Sequence, residues 1–384
     1  MGYVSVTLGF VLGHHGVSVA AVAGLVSLAL LPTTWSFVAG PIVDVSLTPR
    51  RWYAIMLPLA VACFVGFAFT PMSAAALPLL GLLCLFVSVA AVCATTAVSA
   101  AMALTTPPEL RGPIAGWSQT ANLGGAGLGG GLGLWIAGHA GESAPALTMA
   151  AITLASGAPM LFLRVPRPTA VAAAPMERVG AIGRDVWALA RTRTGVLAIM
   201  VMTLPCALGA AAGLLPAAAG AWHASSDLVA LVRGALGGVT TIPGCIFGGY
   251  LCRHFRHRTV YFSGALIYAA GLAAMALAPH TPFAFGSFMI LNGVILGATF
   301  GALTSVNYDA LGPTSPATVC AGLTSLANAP LLAATLILGQ AEARLGVDGM
   351  LLTEAALGAA SVAGYAILAT RWRPVTVGLT FEPA

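Results

Sequence analysis

The chain has no lysine. All 16 of its basic residues are arginines, set against 11 acidic residues, and charged side chains make up only 7% of its 384 residues. Soluble domains carry about 25% charge. That poverty, beside 59% hydrophobic residues and a mean hydropathy of +0.95, excludes a soluble fold and implies a multi-pass protein with the lipid bilayer as its solvent. The net charge of +5 calls for no nucleic-acid partner, because arginines in the loops at one membrane face give the same sum. CxxC spacing is also missing. The seven cysteines (63, 84, 93, 206, 245, 252, 320) lie in or beside apolar runs and read as small packing residues. The seven histidines show no ligand spacing either, so neither a metal nor a cofactor is expected.

What is present is apolar sequence in segments near the ~20 residues that a spanning helix needs. Twelve can be drawn: 1–13, 17–39, 52–70, 75–104, 113–137, 146–163, 195–219, 227–251, 260–279, 283–306, 318–339 and 350–370. The first is short, since Met1 to Gly13 covers ~20 Å of a ~30 Å hydrocarbon core. Helix 1 is therefore expected to lack its first half, through a start placed too late or a truncation. With both termini cytoplasmic, 14 of the 16 arginines fall in inside loops, leaving Arg233 and Arg344. The one long connection, 164–194, is basic and Pro/Ala-rich, and 183–193 could form an amphipathic surface helix. The expected organisation is a first half at 1–163, a cytoplasmic linker at 164–194, a second half at 195–370 and a tail at 371–384.

The stretch Pro107–Ala137 organises the rest. It opens on Glu109 and Arg111, passes Ser118, Gln119 and Asn122, and ends with glycines at 124, 125, 127, 129, 130, 131 and 133. Each interior glycine costs ~1 kcal/mol in a water-exposed helix. In a membrane the helix forms regardless, and the glycines give a smooth face that admits a close neighbour. Ala115, Gly116, Ala121 and Asn122 recur as Ala321, Gly322, Ala327 and Asn328, 206 residues on, which points to two related halves. Gly125–Gly130 also matches GxGxxG, but it sits inside an apolar run with no strand before it, so helix packing is the reading.

The loop after segment 2 reads Gly40-Pro-Ile-Val-Asp44, then Arg50-Arg51, with a counterpart at Gly249 through Arg253, Arg256 and Arg258 where arginine replaces the aspartate. This resembles the cytoplasmic loop signature of the major facilitator superfamily. Asp44 could cap or pair at the end of a neighbouring helix and lock one gate state; the plain alternative is a solvated helix-end turn. The words LPTTWSFVAGPIVD (31–44), PPELRGPIAGW (107–117), NLGGAGLGGGLGLW (122–135) and SPATVCAGLTSLAN (315–328) resemble the peptide/acetyl-coenzyme A transporter branch, which includes muropeptide and siderophore permeases. The resemblance implies an all-α fold of twelve helices in two pseudo-symmetric halves, working by alternating access. It also implies a monomeric secondary transporter of a small-molecule solute in a bacterial cytoplasmic membrane, driven by protons.

Polar residues inside the apolar segments are the site candidates. Arg233, six residues into segment 8, could grip a carboxylate or phosphate bidentately, or snorkel to headgroups. Gln119, Asn122 and Asn328 could line a pathway or bond between helices at ~0.6 kcal/mol each. Asn292 and Trp35 complete the expected solute contacts, though interfacial anchoring is the more frequent role of tryptophan, here as at Trp117. Asp44, Arg50, Arg51, Arg111, Asn307, Tyr308 and Asp309 cluster near segment ends and are expected to gate. His14 and His15 read as a solvated turn. Asp44, Asp227, Asp309 and Glu354 all stand near segment ends, so no mid-membrane proton carrier is identified.

Fold and resemblance leave three readings. The first is proton-coupled import of a mid-sized, anionic solute of muropeptide, siderophore or acyl-coenzyme A type. The second is a drug or metabolite exporter of the same fold. The third is a membrane-embedded acyltransferase, for which no His, Ser or Asp constellation is found.

Overall fold

The computed structural model describes residues 2–162 except 18, residues 191–310 except 205, 207, 208, 230 and 233–235, residues 316–371, and the single positions 165, 184 and 187. These residues are helices and the turns between them, with no strand among them, and each of the twelve expected segments contains helix. The expected surface helix at 183–193 and the tail lie largely outside the described residues.

The first six segments are labelled as follows. α1 is the π-turn Tyr3–Leu8 running into Gly9–His14, and α2 is Val19–Thr34 bent into Ser36–Val45. α3 is Pro49–Phe69 and α4 is Leu77–Thr105. α5 is Arg111–Gln119, the π-turn Thr120–Gly124 and Gly125–Ala140, and α6 is Ala144–Phe162. In the remaining six, α7 is Arg193–Thr203 with Ala210–Ala218, and α8 is Ser226–Val229, Leu236–Val239 and Thr241–His254. α9 is His257–Leu277 and α10 is Pro282–Ala310. The run Pro316–Arg371 holds α11 (316–345) and α12 (347–371), broken at Gly346, whose φ of 72° is left-handed backbone that favours glycine.

Five of these runs are long and apolar enough to cross a membrane, and the bent α2 makes a sixth. The interrupted segments are interrupted for local reasons. In α2 the two parts meet at 44° around Trp35; Pro32, just before the bend, donates no hydrogen bond and crowds the Leu28 carbonyl. In α7 Leu204 is extended (φ −80°, ψ 133°), as expected of a residue that precedes a proline. Gly209 then turns left-handed (φ 71°) to start the second piece.

Two apolar cores result. One draws on residues between 3 and 149, including Tyr3, Leu8, Phe67 and Leu80. The other draws on residues between 198 and 355, including Leu215, Trp222, Tyr268, Phe285 and Met350. All seven cysteines are free thiols, five of them buried, in keeping with small packing residues. The glycine face of α5 does what its sequence suggested. A Cβ on Gly127 would stand 2.2 Å from the Cα of Gly238 on α8, and one on Gly116 would stand 2.6 Å from the Cys245 carbonyl. On another side of α5, the Thr7 hydroxyl of α1 donates to the Gly130 carbonyl at 3.1 Å.

Candidate functional site

Two seams join the first six segments to the last six, and both close at the end that carries the arginine-rich loops. The first seam is α2 against α11. Its polar start is mid-helix, where the Ser36 and Ser325 hydroxyls meet at 2.7 Å and the Phe37 amide donates to Ser325 Oγ at 3.1 Å. The bend at Trp35 lies immediately before this contact. One turn further on, Gly40 lets the helices touch, since a Cβ there would stand 2.7 Å from the Thr318 Cα. The seam ends on Asp44, which is 1% exposed. Its carboxylate accepts from the Ala317 amide at 3.2 Å, the Thr318 amide at 2.7 Å and the Thr318 hydroxyl at 2.8 Å.

Asp44 therefore caps α11 from a different helix. The first amides of a helix have no partner within it and carry the positive end of its dipole, so a carboxylate there is favourable. Val43, Ala97, Ala100 and Ala317, with Trp52 against them, form a small dry cluster beside the cap. A charged group so buried would be costly if unpaired; here three donors satisfy it. The aspartate the sequence singled out is placed as a helix cap rather than as a solvated turn residue. Arg50 and Arg51 follow on the first turn of α3 and are exposed.

The second seam is α5 against α8 and α10. Along α5, residues 111, 118 and 119 share one face at helical spacing. The Arg111 guanidinium stands 3.7 Å from Asp309 Oδ1, and His257 Nδ1 at the start of α9 holds Asp309 Oδ2 at 2.8 Å. About two turns further along α5, the Tyr308 hydroxyl donates to Ser118 Oγ at 3.5 Å and approaches the Met102 sulfur at 3.7 Å. Deeper still, Gln119 Nε2 donates to Thr304 Oγ1 at 2.6 Å, and Asn122 Nδ2 donates to Gln119 Oε1 at 3.4 Å. The π-turn Thr120–Gly124 starts beside this chain of amides, and such turns recur at functional places in helices.

The structure thus brings together Gln119, Asn122, Arg111, Tyr308 and Asp309 on one seam and places Asp44 on the other. Asn292 sits elsewhere. It is buried within α10 facing α9, where a Cβ on Gly271 would stand 2.2 Å from its Oδ1. Asn307 is buried with its Oδ1 lacking a hydrogen-bond partner. Asn328 and Trp35 are exposed. Arg233 lies outside the described residues.

Several partners escaped the sequence reading. Ser36, Ser325, Thr304 and Thr318 are lone hydroxyls that carry no pattern of their own. His257 and Asp309 lie 52 residues apart. At the opposite ends of the helices, His15 pairs with Glu142 at 2.6 Å and His280 with Asp348 at 3.1 Å. Glu142 and Asp348 are 206 residues apart, the spacing of the sequence repeat. Glu354 looked like a helix-end residue but is 4% exposed. Among the described residues no group of His, Cys, Asp and Glu could hold a metal ion.

The family model described as Major Facilitator Superfamily matches residues 1–335. Solved structures with the same fold include the proton:xylose symporter XylE bound to 6-bromo-6-deoxy-D-glucose. It is 14% identical, with 94% of this chain and 91% of that chain covered and a TM-score of 0.70. The human organic anion transporter MFSD10 is 16% identical, covering 93% and 88%, at a TM-score of 0.67. The E. coli fucose:proton symporter FucP is 16% identical, covering 95% and 98%, at a TM-score of 0.64. No curated protein matches the chain in sequence.

Proposed function

The chain belongs to the Major Facilitator Superfamily, and from that membership we propose that it imports a mid-sized, anionic solute by proton-coupled alternating access. The solute is of muropeptide, siderophore or acyl-coenzyme A type, and the membrane is a bacterial cytoplasmic membrane. The chain has the fold of a secondary transporter and is a transporter rather than an enzyme. The solute class rests on the sequence words at 31–44, 107–117, 122–135 and 315–328. The neighbouring structures, at 14–16% identity, speak for the fold alone; two of them are proton symporters and one carries organic anions by name.

The observation that carries the mechanism is the Asp44 cap on α11. It ties the first six helices to the last six with three hydrogen bonds at one face. With Arg111–Asp309 it makes that face a closed gate, cytoplasmic on the positive-inside reading. The two halves, 1–163 and 195–370, are then the rigid units that rock about a site between them, and 164–194 links them. In this cycle the Gln119–Thr304 bond and the Tyr308–Ser118 contact must break each time the gate opens. Arg233, Gln119, Asn122, Asn328, Asn292 and Trp35 remain the candidate solute contacts, with Arg233 the anion grip.

The test is uptake into proteoliposomes of a labelled muropeptide, a ferric siderophore and an acyl-coenzyme A, with and without an inward proton gradient. Gradient-dependent uptake of one of them, lost in Arg233→Ala and kept in Arg344→Ala, supports the reading. Folded protein that takes up none of the three, yet confers broad drug resistance on overexpression, would replace import by export.

A further inference from the structure

α7 is broken, and the break is organised around a carboxylate from another helix. Leu204 is extended, and Gly209 sits in left-handed backbone with the Leu296 side chain where a Cβ would go. The second piece, Ala210–Ala218, therefore begins inside the protein with its first amides exposed to no other part of α7. Glu354 of α12 supplies the missing acceptors. Its Oε1 accepts from the Ala210 amide at 3.1 Å and its Oε2 accepts from the Ala211 amide at 2.7 Å. On the near side of the break the Tyr261 hydroxyl of α9 donates to the Cys206 carbonyl at 3.1 Å.

Three features set this carboxylate apart from an ordinary cap. First, Glu354 and Asp44 are the two acidic residues buried among the described residues, and Asp44 belongs to the gate. Second, no cation balances it. The titratable groups that share its apolar core are Cys206 at the break, Tyr261 and Tyr268 on α9 and Tyr365 on α12; His257, at the start of α9, is taken by Asp309, and no arginine or histidine among the described residues pairs with Glu354. Third, the two oxygens serve different amides, so a proton on either oxygen turns a charged acceptor into a weaker, neutral one for its amide. The hydrogen bonds that hold the break in this shape are thus at full strength only while Glu354 is ionised.

We propose that Glu354 is a proton-binding residue, and that its protonation releases the start of the second α7 piece. The proton comes from the aqueous phase and resides on the carboxyl oxygen, and the freed amide turns to water or to a neighbouring carbonyl. This deepens the proton-coupled reading above and rests on it for its place in transport. Discontinuous helices are where membrane transporters place substrate and ion sites, so a proton held at this joint sits where such a site is expected.

The experiment is hydrogen–deuterium exchange of the full chain in lipid nanodiscs, read on peptides covering 204–212, with α9 peptides over 265–276 as control. After correction for intrinsic rate, exchange at Ala210 and Ala211 should rise about tenfold as the pH is lowered from neutral to the acid limit at which the chain stays folded, as charge-assisted hydrogen bonding is lost. Glu354→Gln should exchange fast across the whole range, and Glu354→Asp should keep a pH dependence with a displaced midpoint. Wild-type exchange flat with pH, or Glu354→Gln indistinguishable from wild type, would overturn the proposal without any transport assay. If the break titrates while uptake ignores the proton gradient, the proton site stands and the coupled-transport reading fails.

Discussion

The Asp44 carboxylate and the Thr318 backbone lie 274 residues apart in sequence and 2.7 Å apart in the structure. An acid at the end of one helix serves as the cap of another, so the two helices can separate at this end only by leaving three donors and a charge unsatisfied. Replacing Asp44 by Ala should cost the closed state about 2–3 kcal/mol, because buried donors lose a charged acceptor. Asp44→Asn keeps an oxygen and loses the charge, so about 1 kcal/mol is expected, the scale of a carboxylate at a helix N-terminus. Cysteine accessibility at the arginine-bearing face should rise in the order wild type, Asp44→Asn, Asp44→Ala.

Arg111 and Asp309 form the more exposed link, 3.7 Å apart with side chains 25% and 37% accessible. Partly exposed pairs contribute about 0.2–1 kcal/mol and are screened by salt. Arg111→Ala is therefore expected to open the gate less than Asp44→Ala, by about fivefold or less in the closed-to-open ratio. The difference from wild type should shrink at high ionic strength. A larger effect for Arg111→Ala than for Asp44→Ala would reverse the ranking of the two seams.

Gln119 and Thr304 make a 2.6 Å hydrogen bond between α5 and α10. Interhelical bonds of this kind average about 0.6 kcal/mol in membranes. A double-mutant cycle of Gln119→Ala and Thr304→Val, read as thermal stability in detergent, should return a coupling of about that size. Coupling within error of zero would remove Gln119 from the seam.

Gly125 and Gly127 stand two residues apart and should respond in opposite ways. A Cβ at 127 would meet the Gly238 backbone at 2.2 Å, whereas nothing lies within 4 Å of a Cβ at 125. Gly127→Ala should lower the melting temperature and the yield of folded protein, since backbone must move to admit it. Gly125→Ala should be neutral or stabilising by up to about 1 kcal/mol from helix propensity. Fluorescence-detected size exclusion after heating distinguishes the two.

The all-helical fold could be read from the sequence because the bilayer imposes it: a chain so poor in charge must satisfy its backbone within helices. The helical segments and the glycine face of α5 were legible, and so was the capacity of Asp44 to cap a neighbouring helix. The receiver of Asp44 was not. In helices that are apolar all round, no periodic stripe tells which side meets which neighbour, so Thr318, Thr304 and Ser325 had no signal beyond being hydroxyls. Glu354 does stand near the start of α12, as read; its burial had no signal, because the break in α7 creates a second helix start inside the protein and draws the carboxylate to it. The break itself had a cue in Leu204-Pro205. Asn292 was legible as a polar group inside α10, whereas its close approach to Gly271 of α9 was not.

The most direct measurement of the gate is the distance between spin labels at Glu109, before α5, and His254, at the end of α8. The protein would carry alanine in place of its seven cysteines and sit in nanodiscs. The account predicts a short-distance population in wild type, matching the closed face described here, and a second, longer population that grows about tenfold or more in Asp44→Ala. A single short distance, unchanged by Asp44→Ala and by Asp44→Asn, would contradict the claim that this carboxylate holds the gate shut.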